Sequence, residues 1–401
     1  MNELCIRIIL IINKMGFVFW PKKKKEKLII LDVGTEAVKT LIFEKEGERS
    51  VLLKASLEYF DDLAFSLDED KVSQAIKESL SVNIQNTAVN NVLLGLPPDI
   101  LKSGIVRQSI SREKDKGLIN VKEADAITDG VLKKAKIEIA ERVALKIGIL
   151  PKDIHFIALN IFDKKIDGYE VPAIPGYSGK NLTFSILAVF MPQDYFDKIE
   201  KALKDFKINK FRILHLAEGF LNASFLGAEN SAFVDIGGES THLFLTKNNK
   251  LFDIEEWTIG GRNFSSYLSG VLGISAKDAR LLKERYSKRL LSLEVKDRIS
   301  EILVYIQKEW YKNLENKIGE KILPSVYYFF GGGSLLFGME GVLGDGRQTA
   351  DRLLGGSNVK LFCPKDLSSS LQPKEEQLFN FVINSPQYTP SFLLYYVGKN
   401  S

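Results

Sequence analysis

Residues 28–43, LIILDVGTEAVKTLIF, decide how the rest of the chain is read. An apolar, β-branched run ends at Asp32, a glycine and a threonine follow, and a second apolar run begins. The pattern predicts two strands joined by a tight turn. Gly34 lets the backbone approach a ligand, and the turn N–H groups together with the Thr35 hydroxyl can wrap an anion. Asp32, at the strand tip, is suited to hold a hydrated Mg²⁺, and Lys39 can neutralise phosphate charge from the second strand. Residues 232–246, AFVDIGGESTHLFLT, repeat the idea: strand, aspartate, glycine turn, small hydroxyls, strand. Two such hairpins suggest a nucleotide held between two related halves. A third glycine cluster, FFGGGSLLFGMEGVL over 329–343, follows an aromatic strand and precedes an apolar, helix-like segment. Its glycines would let a flat base lie against the backbone near a helix N-terminus.

In this order and spacing the three stretches resemble the phosphate-1, phosphate-2 and adenosine motifs of the actin-like ATPase superfamily. The resemblance implies an α/β, two-half actin-like (ribonuclease H-like) ATPase fold with ATP or ADP and Mg²⁺ between the halves. It implies metal ligation by Asp32 and Asp235, the latter also catalytic. It implies nucleotide contacts from Asp32, Gly34, Thr35, Lys39, Gly237, Gly238, Ser240, Thr241, Gly331, Gly332, Gly333 and Ser334. Gly260 and Gly261 lie just before a helix expected to begin near Asn263, an anion site at a helix N-terminus; related chains read P-x-GG here. In the segment 274–287 Lys283 matches the lysine of the family's A-E-x-x-K element, while Arg280 replaces its glutamate, an acceptor for ribose hydroxyls. Residues 211–226 are expected to enter a connecting helix whose Glu218 matches the family's water-orienting position, which gives it a catalytic role. His215 reads as a packed histidine. The second turn departs from the family's D-x-G-G-G pattern, because Glu239 stands at the third glycine and His242 at the last aspartate. A carboxylate beside a terminal phosphate is repulsive, so Glu239 either helps hold metal or biases the site toward a diphosphate.

Between the first hairpin and the second, residues 98–209 change pattern. They read as strand (104–111), long helix (121–147), strand (154–163), a Gly- and Pro-rich loop, strand (182–190) and helix (194–205). The loop KKIDGYEVPAIPGYSGK resembles the extra subdomain of the cell-division protein FtsA and its relatives. The resulting organisation is a leader (1–27), a first half (28–97, 210–230 and 384–401), an inserted α+β subdomain of the FtsA type (98–209) and a second half (231–383). Ahead of the insert, a helix is expected with Val72, Ala75, Ile76, Ser79 and Leu80 on one face. The charged segment 293–317 reads as a solvated amphipathic helix, and NSPQYTPSFLLYY (384–396) resembles the helix that ends the FtsA and PilM core.

The chain has 401 residues, enough for two or three domains, and 45% apolar and 26% charged residues, as in ordinary globular proteins. Residues 21–27 hold five lysines and one glutamate, which accounts for the whole net charge of +4. A broad nucleic-acid-binding field is thereby excluded. Two cysteines form no disulfide framework and three histidines no zinc pattern, which fits a reducing cytoplasm. The apolar stretch 4–20 is broken by Arg7, Asn13 and Lys14 and is short for a spanning helix. It reads either as an interfacial amphipathic helix or, with Met15 as the true start, as a short basic leader like those of PilM proteins. No amphipathic membrane helix of the FtsA kind is read at the C-terminal end.

The resemblance, covering residues 28–396, therefore implies the FtsA/PilM branch. The function expected is a cytoplasmic ATP-binding scaffold, peripheral at the inner face of the cell membrane, with slow ATP hydrolysis at most. Its partners would be an FtsZ-like tail in cell division or a PilN-type peptide in type IV pilus assembly. Self-association into filaments and contact with an anionic membrane through the N-terminus are further expectations. Glu239 and Arg280 keep open a degenerate pseudo-ATPase, and a small-molecule kinase of the same superfold is the remaining alternative.

Overall fold

The opening stretch forms strands β1 (Lys27–Val33) and β2 (Ala37–Glu46), joined by a turn in which the Gly34 N–H donates to the Ala37 carbonyl at 2.9 Å. A computed structural model describes residues 27–46, 49–60, 68–83, 91–113, 117–224, 229–319, 321, 324–336, 358–367, 371–373 and 376–400. Residues 1–26 of the leader and residues 337–343 of the third glycine stretch lie outside the described residues. β1 is buried from Ile29 onward, as its continuous apolar run requires of a central strand, and pairs antiparallel with β2 and parallel with β4 (Asn91–Gly95). With β3 (Arg49–Tyr59), β9 (Phe211–Ile213) and β15 (Leu371–Pro373) the sheet runs β15-β3-β2-β1-β4-β9.

The second sheet repeats this plan. β10 (Ser231–Ile236), β11 (Thr241–Lys247), β12 (Lys250–Trp257), β13 (Val326–Phe330) and β14 (Asn358–Leu361) lie in the order β12-β11-β10-β13-β14. In both sheets the first three strands are antiparallel and the next two parallel. Registers coincide as well: Asp32 faces Lys39, and Asp235 faces His242.

Period-two alternation places the faces of the second sheet. Ala232, Val234, Ile236, Leu243, Leu245, Tyr327 and Phe329 face a core under the helices α4 (Gly261–Leu272), α5 (Ala276–Ser287) and α6 (Leu293–Ile318). Phe233, Phe244, Tyr328 and Phe330 face the other way and share one core with the first sheet. There Phe220 stacks on Phe233 at 4.4 Å and on Phe244 at 4.9 Å. Asp235 and His242 have the parity of this shared face, so both look toward the first half.

α1 (Glu69–Asn83) buries the five residues expected of it together with Asn83. The insert is a four-stranded sheet, β5 (Lys102–Ser111), β8 (Asn181–Pro192), β6 (Ile154–Ile166) and β7 (Tyr169–Glu170), with its own core under α2 (Val121–Ile147). Asn120 caps α2 by accepting from the Glu123 N–H, and Gly148 ends it in the left-handed region at φ 71°. α3 (Gln193–Asp205) follows, and α7 (Glu376–Ile383) and α8 (Thr389–Asn400) close the chain. α8 lies close on the first sheet, since a Cβ at Gly95 would stand 2.4 Å from Leu394 Cδ1. Among the described residues no helix is long and apolar enough to cross a membrane.

Two sequence expectations are corrected. Residues 211–224, the described part of the 211–226 stretch, form no connecting helix; β9 runs into a short 3₁₀ turn, Leu216–Phe220, because Glu218 and His215 close a capping box there. Leu371–Pro373, assigned from sequence to the second half, adds to the outer edge of β3 in the first sheet.

Candidate functional site

The two hairpin turns meet at the mouth between the halves. Asp32 Oδ2 accepts from Lys39 Nζ at 3.0 Å and from the Ser391 hydroxyl at 2.9 Å. Ser391 is the first residue that sequence reading missed; α8 carries it in, and no local spacing signals it. Asp235 keeps some exposure toward the cleft yet is enclosed on most sides. Its carboxyl is pushed up to about 7 by burial and by the Asp32 charge, against the pull of Lys39. Among the described residues no three His, Cys, Asp or Glu side chains gather as a metal site. Two strand-tip carboxylates are nevertheless the kind of set Mg²⁺ takes when waters and phosphate oxygens complete its shell.

Gly331, with φ 83°, lies so close to the Asp235 tip that a Cβ there would stand 2.2 Å from Oδ1. Beside it, a Cβ at Gly333 would meet Ile236 Cγ2 at 2.3 Å, while one at Gly332 would meet open space. The Ser334 hydroxyl donates to the Gly331 carbonyl at 2.7 Å and is buried, so it braces the glycine turn rather than offering a ligand contact. Thr241 is corrected in the same sense. It is fully buried, donates to the Ile259 carbonyl at 2.6 Å and accepts from Trp310 Nε1 at 2.9 Å. Ser240 is buried at the end of the second turn.

The start of α4 is not the open anion site expected. Gly261 N–H donates to the Gly237 carbonyl at 2.9 Å, Arg262 N–H to that of Gly238 at 2.6 Å and Asn263 N–H to that of Gly260 at 3.1 Å. Gly260 and Gly261 serve close approach instead: a Cβ at Gly260 would stand 2.7 Å from the Gly238 carbonyl carbon. Lys283 is buried beside them with Nζ donating to the Gly261 carbonyl at 2.6 Å, and burial pushes its pKa down. Arg280 lies over the Tyr59 ring at 4.8 Å and so reaches across to the first half. Its Nε and Nη1 are buried without a hydrogen-bond partner, as is one carboxylate oxygen of Glu36 in the first turn. Both groups act on the Tyr59 hydroxyl, which burial and its acidic neighbours push up to about 12.

Arg262 is the second residue that sequence reading missed. It follows the glycine pair directly, and its Nη2 donates to the Thr35 carbonyl at 2.6 Å.

Glu218 stands elsewhere. Oε1 accepts from the His215 backbone N–H at 2.9 Å and Oε2 from Asn160 Nδ2 of the insert at 3.1 Å. Both oxygens are therefore committed to holding a turn and docking the insert, and the catalytic assignment is corrected to a positioning one. Glu218→Ala is expected to cost about 1–3 kcal/mol in denaturant unfolding, the penalty for stranding buried donors.

Next to it His215 and His242 lie with ring centres 6.3 Å apart. Burial pushes both down from 6.5 to about 3, with Lys102 adding to the effect and His242 adding to it at His215. Unfolded histidines take protons below about pH 6.5, whereas these two stay neutral until far lower. Their contribution to stability is thus complete above pH 6.5 and declines as pH falls toward 3. The melting temperature is expected to fall along that limb, and less steeply in His242→Gln.

The insert touches both halves here. Lys198 pairs with Asp70 at 2.6 Å and Glu69 at 3.3 Å, and Lys77 with Asp205 at 2.8 Å. Toward the second half, Arg107 Nη2 donates to the Phe252 carbonyl at 3.1 Å, Lys102 approaches Glu256 at 3.6 Å, and Lys250 pairs with Glu170. Glu256 lies 3.8 Å from His242, which faces Asp235 across the hairpin. These half-exposed pairs are individually weak, so the insert is tied to both halves by contacts that cost little to rearrange.

No family model matches the chain, and no curated protein matches it by sequence. Solved structures match it by shape. A chain of the PilM–PilN type IV pilus biogenesis complex superposes with a TM-score of 0.62 at 18% identity, over 92% of this chain and 98% of that one. The ethanolamine utilization protein EutJ from Carboxydothermus hydrogenoformans gives 0.46 at 12% identity, covering 92% and 89%. MreB5 of Spiroplasma citri bound to ADP gives 0.41 at 11%, covering 94% and 95%.

Proposed function

We propose, because the chain has the actin-like ATPase fold in the form seen in the PilM–PilN complex, that it is a nucleotide-binding scaffold of a membrane-associated assembly machine. The observation that carries this reading is the duplicated hairpin, whose two strand-tip aspartates, Asp32 and Asp235, lie near enough to act on one another, with Lys39 paired to Asp32. Mg²⁺, when bound, would supply charge neutralisation for the phosphates, held by Asp32 and Asp235. Gly331, Gly332 and Gly333 would let the base lie against the backbone, with Lys283 and Arg280 at the sugar side. Lys39 and the Thr35 hydroxyl would meet the phosphates. The insert, wired to both halves, would carry the change in cleft width to a bound partner.

The partner proposed is a PilN-type peptide, supported by the fold match to a chain from a PilM–PilN complex. Such a partner would bring the protein to the inner face of the cell membrane, whatever the leader does. The test is a pull-down of the full chain with a PilN-type N-terminal peptide and, in parallel, with an FtsZ C-terminal tail. Retention of the first alone is expected. Retention of the FtsZ tail alone would move the reading to cell division.

One observation favours a second reading. The two turns touch, so a Cβ at Gly238 would stand 2.6 Å from the Thr35 hydroxyl, and no phosphate fits between them in this conformation. A pseudo-ATPase that keeps the fold as a binding module would look the same. Absence of binding by ATP and by ADP, with the PilN-type peptide still retained, would select it.

A further inference from the structure

The two turns are tied together by donors and acceptors that a bound phosphate would otherwise take. Glu239 N–H donates to the Thr35 hydroxyl at 3.1 Å, and Arg262 Nη2 donates to the Thr35 carbonyl at 2.6 Å. Arg262 Nη1 lies 3.5 Å from Glu239 Oε2. Arg262 thus comes from the second half, crosses to the first, and has a carboxylate of its own turn beside it.

The other cations of the cleft are committed differently. Lys39 is bound to Asp32, Lys283 to the Gly261 carbonyl, and the first amides of α4 to carbonyls of the second turn and of Gly260, while Arg280 lies over the Tyr59 ring with its Nε 3.9 Å from Glu284. The contacts of Arg262 are of a kind it can exchange. A guanidinium that gives up a carbonyl and a carboxylate for two phosphate oxygens keeps its hydrogen bonds and gains bidentate geometry. The Glu239 side chain is 42% exposed, so it can turn into water at little cost.

We propose that Arg262 is the anion ligand of this cleft and that Glu239 is a built-in competitor for it, so that a di- or triphosphate enters by displacing the Glu239 carboxylate and parting the turns. The proposal rests on the nucleotide reading and deepens it. Glu239 occupies the position of a glycine in the family pattern, and its carboxylate stands where a terminal phosphate oxygen would approach Arg262. Binding and turn separation then become one event: the incoming anion takes the guanidinium, the Thr35 hydroxyl and the Glu239 N–H together, and these are the groups that hold the turns closed.

The test is calorimetric titration of the full chain with inorganic tripolyphosphate and with Mg·ADP, each variant being checked by thermal unfolding. Glu239→Gly and the shape-preserving Glu239→Gln are expected to tighten both ligands by about two- to fivefold, the worth of a partly exposed ion pair released from its rival. Arg262→Met is expected to weaken wild-type binding by about tenfold or more and to erase the gain when combined with Glu239→Gly. Arg262→Lys should restore part of the affinity, because it returns the charge without the fork. Unchanged affinity in both Glu239 variants overturns the competitor. A gain that survives in the double variant overturns Arg262 as the ligand. If Mg·ADP binds and ignores all five variants, only this inference falls; if neither probe binds wild type or Glu239→Gly, the nucleotide reading falls with it.

Discussion

Asp32→Ala is expected to weaken Mg·ATP binding by at least about tenfold, because it removes the proposed metal ligand and the carboxylate that positions Lys39. Asp32 accepts from Lys39 at 3.0 Å and from Ser391 at 2.9 Å, so one substitution leaves a cation and a buried hydroxyl without their common partner. Burial is the main cause of the raised Asp235 carboxyl and remains, but the same change withdraws the Asp32 charge that adds to it, so Asp235 should ionise at somewhat lower pH. Because a raised carboxyl costs stability as pH climbs through its folded value, near 7 here, the apo variant should lose less stability between pH 6 and 8 than wild type. Lys39→Ala acts in the same direction on affinity, since the phosphates lose their counter-charge. Titration calorimetry at fixed ionic strength measures both effects. Ser391→Ala separates positioning from charge, because Asp32 keeps Lys39; its loss should be the smaller.

Trp310→Ala is expected to cost about 3–5 kcal/mol of unfolding free energy, the range for deleting a large buried aromatic side chain. Trp310 is fully buried in the core beneath the second sheet. It packs against Trp257 at 5.7 Å, Tyr311 at 5.2 Å and Phe329 at 5.9 Å. Its Nε1 also donates to the Thr241 hydroxyl at 2.9 Å, at the foot of the second turn. The substitution therefore leaves a cavity and an acceptor with one bond fewer, and it loosens the strand that carries His242 opposite Asp235. Urea unfolding gives the stability. Trp310→Phe is expected to recover most of it, because the ring fills the space and only the hydrogen bond is lost.

Much of the fold was legible because its signals are local and repeated. Alternation in AFVDIGGESTHLFLT assigns Phe233 and Phe244 to one face and Val234 and Leu243 to the other, and a packed sheet must obey it. α2 spans the residues its pattern predicts, 121–147, and the structure shows what bounds it, Asn120 before it and Gly148 after it. The 211–226 stretch misled because its helix was carried over from the family's connecting helix, whereas here a capping box and a docking contact from Asn160, distant in sequence, hold Leu216–Phe220 as a 3₁₀ turn.

In the site, the hairpin pattern singled out Asp32, Lys39 and Asp235, and the structure pairs the first two and brings their charges to bear on the third. Thr241 and Ser334 were misassigned because a hydroxyl in a glycine turn reads the same whether it faces a ligand or braces the backbone. Only the partners Ile259, Trp310 and Gly331 distinguish the two cases. Ser391 and the Tyr59–Arg280 contact depend on segments far apart in sequence, and no motif encodes them.

The central claim is that the meeting of two Asp-tipped hairpins makes a nucleotide site. Calorimetric titration of the wild-type full chain with ATP and with ADP, with and without Mg²⁺, tests it most directly. The account predicts one site per chain, occupied below millimolar nucleotide with Mg²⁺ present and weakened when the metal is withheld. Failure of both nucleotides to bind at millimolar concentration, in a chain that melts cooperatively, would contradict it.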